Sequence, residues 1–71
     1  MKPKKPYFRV TFVDGTEMKF QSLHDTNDVI SKNEHGFYVH KATGIRVLTL
    51  HLEEFDVLGK PKHRLLYPER K

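Results

Sequence analysis

Cations gather at the two ends of this chain, and cations beside aromatic rings are the residue types that hold nucleic acid. Lys60, Lys62, Arg64, Arg70 and Lys71 stand against Glu69 alone, so residues 60–71 net +4. Lys2, Lys4 and Lys5 add three positive charges before Tyr7. The stretch between, Tyr7 to Gly59, holds five Lys/Arg and eight Asp/Glu and nets −3, within an overall charge of +4. Flexible Lys and Arg side chains neutralise phosphates and release their condensed counterions. Tyr67 adds a ring that can stack on an unpaired base. The pattern predicts nucleic-acid binding of low sequence selectivity, made by the ends and not by the acidic body. The competing reading is a solvated basic tail that serves solubility. No RNP octamer and no GXXG loop is present, so the known sheet-based and loop-based RNA signatures are absent.

The remaining reactive residues point to less. Five histidines (His24, His35, His40, His51 and His63) are many for so short a chain. Histidine is the usual zinc ligand, and His51 and Glu53 fall on one face of a strand. Their spacings match no zinc template and no third ligand is placed, so no metal is expected. His24, Asp25 and Asp28 have the types for acid–base work, but so does any polar turn. Ser22 and Ser31 sit in no nucleophile elbow. The four glycines each suit a turn or a stop, which leaves none for a phosphate loop. The chain is read as non-enzymatic and without a cofactor.

A second surface competes with the basic ends. Tyr38, His40, Ile45, Val47 and His51 alternate with more apolar residues and would share a mixed face. Exposed, that face would mark a protein partner, as for an interaction or inhibitor module; covered, it is a second core layer. A sheet edge offers the related possibility of strand addition or an edge-strand dimer; otherwise a monomer is expected.

These groups need a scaffold, and the hydrophobic pattern supplies one. Phe8, Val10 and Phe12, then Met18 and Phe20, alternate with polar residues around Asp14-Gly15, which predicts a β-hairpin. A two-residue loop would send the two apolar sets to opposite faces. A three-residue loop, Val13-Asp14-Gly15, pairs Val10 with Met18 and Phe8 with Phe20 and puts all five on one face, with Gly15 in the left-handed position. A second hairpin is predicted over residues 37–52. A Thr43-Gly44 turn would pair Val39 with Leu48 and Phe37 with Leu50, giving an apolar face of Phe37, Val39, Leu48, Leu50 and Leu52. Asp25 to Asp28 reads as a turn or helix cap, and Val29-Ile30 as a brief strand. Leu52 to Gly59 either closes the strand or makes one helical turn near 53–58, which the spacing of Leu52, Phe55 and Leu58 fits, with Gly59 as its stop.

The predicted fold is all-β or β-rich: a small antiparallel meander or partly open barrel of four or five strands on two hairpins, with at most one short helix. The expected core is Phe8, Val10, Phe12, Met18, Phe20, Ile30, Phe37, Val39, Leu48, Leu50, Leu52 and Phe55. With 71 residues and no cysteine, the chain makes one small domain without disulfides. It divides into a flexible basic arm (1–6), a β-rich body (7–59) and a basic segment (60–71) that can dock through residues 63–67. The opening residues lead into alternation, not an apolar run, so neither a secretory signal nor a membrane partner is expected, and the location expected is cytoplasmic.

Overall fold

Four tight turns, each ending on a glycine with positive φ, set the architecture. The structure, a computed structural model, describes residues 5–68. In the first turn the Phe12 N–H donates to the Thr16 carbonyl (2.8 Å) and the Gly15 N–H to the Phe12 carbonyl (3.0 Å). Gly15 takes φ 94°, a region open to glycine at little cost. The loop therefore has three residues. It joins β1 (Tyr7–Phe12) to β2 (Glu17–Phe20) with Val10 opposite Met18 and Phe8 opposite Phe20, the register the sequence predicts. The Thr16 hydroxyl and amide both donate to the Asp14 carboxylate and hold it below the ordinary aspartate range.

The helix lies where the sequence suggests a turn or cap. α1 spans Leu23–Val29, and the Ser22 hydroxyl at its N-cap accepts from the Asp25 N–H at 3.1 Å. Ser22-x-x-Asp25 places an acid three residues after a hydroxyl cap, the order of a capping box. Thr26 is fully buried, and its hydroxyl donates to the Ser22 carbonyl. The chain then runs directly into β3 (Ile30–Lys32), which pairs with β4 (Tyr38–His40).

The second hairpin differs from the prediction. His40 N–H donates to Ile45 and Gly44 N–H to His40, so the loop is Lys41 to Gly44, four residues and not two. Val39 opposes Arg46, after which the chain leaves β4. β5 (Val47–Phe55) pairs instead with β1. Thr11 opposes Thr49 but Phe12 opposes Val47, so Leu48 is the extra residue of a bulge. A bulge shifts the alternation by one residue. Val47 consequently enters the core, while Leu48 is 53% exposed and Phe37 lies at the surface under the Arg46 guanidinium. The buried core is Val10, Phe12, Phe20, Ile30, Val47 and Leu50, with Phe8, Met18, Val29, Tyr38, Ile45, Leu66 and Tyr67 packed against it.

No helix forms at 53–58. Residues 53–55 continue β5, and a three-residue loop leads to β6 (Pro61–Tyr67). The Asp56 N–H donates to Lys60 (3.0 Å) and Gly59 to Asp56 (2.9 Å). Gly59, at φ 81°, closes a hairpin and does not stop a helix. Cross-strand pairing of six β5 residues with β6 satisfies backbone groups that a single helical turn would leave open. The result is a four-stranded antiparallel sheet in the order β2-β1-β5-β6 with a two-stranded β3-β4 sheet beside it. The large sheet is not closed: β2 and β6 are its edges. No described helix is long and apolar enough to cross a membrane.

Candidate nucleic-acid interface

β6 carries the basic cluster, and its pairing with β5 gives that cluster a fixed geometry. Pro61 opposes Phe55, Lys62 opposes Glu54, His63 opposes Glu53 and Arg64 opposes Leu52. Side chains alternate along a strand, so Lys62 and Arg64 share one face and His63 and Leu65 the other. Lys60, Lys62 and Arg64 are exposed and enter no ion pair among the described residues. Lys5 is exposed just before β1. Tyr7 opposes Glu53, which opposes His63, so Lys5 lies at the end of the sheet where β6 begins. Lys2, Lys4, Arg70 and Lys71 lie outside the described residues.

Of the carboxylates near these cations, Glu54 stands directly opposite Lys62 with no ion pair among the described residues, while two others are engaged elsewhere. Glu53 has a side chain only 3% exposed, set between Arg9 of β1 and His63 of β6. The Arg9 guanidinium lies 3.1 Å from one carboxylate oxygen, and His63 Nδ1 contacts the other. The Arg9 approach pairs charge without a well-directed hydrogen bond, since Glu53 Oε1 and Arg9 Nε lack one. A buried carboxylate is costly unless paired. Loss of either partner should cost about 1–3 kcal/mol, less than for a fully buried pair because Arg9 and His63 stay partly in water. Asp56 is also committed: its carboxylate accepts from the Leu58 N–H (2.9 Å) and the Lys60 N–H (2.8 Å). The acidic count of the body thus overstates the negative charge facing outward beside β6.

Tyr67 packs against the core. It is half-buried and meets Tyr38 edge-on, with ring centroids 4.9 Å apart. The ring serves the core because a second bulge, between Leu50 and His51 of β5 against β6, sets Tyr67 opposite buried Leu50.

The proposed mixed face is not assembled as one surface. Tyr38 packs on Tyr67, and His40 lies against the Phe12 ring at 5.6 Å and accepts the Ala42 N–H. Ile45 packs on the core and Val47 is inside it. His51 sits in β5 opposite Arg9, one residue from Leu50 and therefore on the other side of the sheet. Val47 is thus in the core, Tyr38, His40 and Ile45 are partly buried beside it, and His51 faces away.

That other side of the sheet is what sequence reasoning missed. Cross-strand pairing brings together Lys19, Arg9, His51 and Leu65 in one row and Tyr7, Glu53 and His63 in the next. Lys19 Nζ lies 5.3 Å from the Tyr7 ring. Its alternation was visible in Tyr7, Arg9 and Thr11, but the non-local pairing of β1 with β5 was not. No protein-family model, curated protein or solved structure matches the chain.

Proposed function

We propose that the protein is a small, non-enzymatic nucleic-acid-binding module of low sequence selectivity. Lys60, Lys62 and Arg64 on the β6 edge make its phosphate contacts together with Lys5. Lys2, Lys4, Arg70 and Lys71 supply further charge from the flanking segments. The observation that carries this reading is the contrast along one hairpin: its three cations are exposed and unpaired among the described residues, while of its acids Glu53 and Asp56 are consumed internally and only Glu54, opposite Lys62, is left to offset them. An edge strand with cations at every second position presents charge at roughly 7 Å intervals, a spacing that suits a phosphate backbone and reads no base.

Fluorescence anisotropy with short duplex and single-stranded oligonucleotides over a salt series tests it. The Lys60→Ala/Lys62→Ala/Arg64→Ala variant should bind at least about tenfold more weakly in low salt, with a log–log salt slope shallower by about 2–3. Unchanged affinity and slope in that variant would sink the proposal.

A second reading has one observation behind it. β6 is a seven-residue strand at an open sheet edge, and a partner's strand could add there. Binding of that kind would tolerate salt and survive the triple alanine substitution.

A further inference from the structure

Two of the hairpin turns are the same object with different side chains. In each, an Asn or Asp opens the loop, its N–H donates to the residue four on, and its carbonyl accepts from a glycine three on: Asn33 with Phe37 and Gly36, Asp56 with Lys60 and Gly59. In each, the side-chain oxygen accepts from the second and fourth following N–H groups: His35 and Phe37 on Asn33, Leu58 and Lys60 on Asp56. The loop interiors differ in chemistry. One is Glu34-His35, the expected polar tip; the other is Val57-Leu58. Val57 is 101% exposed and Leu58 79%, so neither serves the core, and the twin turn shows that the backbone does not require them. A folded chain this small gains by burying apolar side chains, which makes an apolar pair held fully in water a contact awaiting something else.

The surroundings indicate what. Lys60 follows the tip at once, Lys62 is about 7 Å further along the strand and Arg64 about 7 Å beyond that. Asp56, the acid at the base of the loop, is tied to two backbone N–H groups. Glu54, opposite Lys62, is the one acid of this hairpin left to offset the three cations. An apolar point beside an edge of net positive charge fits a partner with a negative exterior and an apolar interior of small width. Stacked base pairs between phosphate strands have that form, and aliphatic side chains are wedged between base steps by proteins that kink duplexes. Lipid shares the first two properties, but two aliphatic residues without a ring of interfacial aromatics make a weak anchor.

We propose that Val57 and Leu58 form a wedge that enters a base step of duplex DNA held by Lys60, Lys62 and Arg64, and that binding therefore bends the duplex. This rests on the nucleic-acid reading above and deepens it. Pyrimidine–purine steps, TA above all, unstack most easily, so the wedge favours them without any hydrogen bond to a base.

The test uses the full chain and a short duplex with a central TA step, dye-labelled at both ends for energy transfer. The expected result is a rise in transfer on binding. The Val57→Asn/Leu58→Asn variant should lose that rise and bind about tenfold more weakly, with its salt slope kept and its amide NMR spectrum unchanged away from the loop. Binding without any rise in the unaltered protein overturns the wedge but leaves the nucleic-acid reading standing. No binding to duplex or single strand overturns both. Co-sedimentation with phosphatidylserine vesicles that the double variant abolishes assigns the tip to lipid and overturns the wedge.

Discussion

At the scale of single residues, most specific behaviour comes from side chains that replace a missing backbone partner. Asp14, Asn33 and Asp56 each accept two donors in a turn, and each turn then closes on a glycine. Asn33 does with an amide oxygen what Asp56 does with a carboxylate, so geometry and not charge is the requirement at position 56. Asp56→Asn should accordingly keep the melting temperature within about 2 °C, whereas Asp56→Ala should lower stability by about 1 kcal/mol, roughly 4–8 °C for a domain of this size. Thermal unfolding followed by circular dichroism separates the two, and equal losses would show that charge matters there. The Asp14 carboxylate, held low by Thr16, stabilises the native state while ionised. That contribution is complete above about pH 4 and fades as pH falls below it. Sequence alone found these turns through their glycines, but not which acid or amide would lock them, because capping depends on loop length.

At the scale of elements, alternation was legible where pairing is local and misleading where a bulge intervenes. The first hairpin has its predicted register because only the three-residue loop puts Phe8, Val10, Phe12, Met18 and Phe20 on one side. The same logic fails over residues 37–52. A period-two reading makes Leu48 core and Val47 surface; the bulge opposite Phe12 reverses them. Val47→Ala should then cost about 2 kcal/mol, and Leu48→Ala less than about 0.5 kcal/mol. Urea denaturation of the two variants checks this, and a larger loss at Leu48 would contradict the bulge. α1 was hidden for another reason. Asp, Thr and Asn are poor helix formers, and its signal lay in the Ser22-x-x-Asp25 cap. The acidic stretch 53–56 resembled the start of a helix, but Glu53 was more strongly placed between Arg9 and His63 in a sheet.

At the scale of the whole molecule, the basic segment and the scaffold are one structure over residues 61–67. β6 covers the open edge of β5, and a buried carboxylate is held between Arg9, which pairs its charge, and His63, which contacts its other oxygen. Removing residues 60–71 should therefore unfold the chain, not merely strip its charge, and a truncated protein should lose amide NMR dispersion. The triple alanine substitution should leave that dispersion intact, which is why point changes and not truncation separate function from fold. A well-dispersed spectrum from residues 1–59 would show that β6 is an accessory to the sheet. The sequence by itself determined the strand-rich class, the first hairpin and the concentration of cations at the ends, since these follow from composition and from contacts between near neighbours. Tertiary structure alone decided the pairing of β1 with β5, the bulge that exchanges Val47 for Leu48, the use of Tyr67 in the core and the burial of Glu53. Each depends on residues tens of positions apart, whose meeting is settled by how a small chain can best satisfy its backbone and cover its apolar faces. The charge asymmetry read from the sequence thus survives with a different meaning. Between the cations of β6 and the body lies no boundary, and the outward charge of that edge is set by which carboxylates the fold has already used.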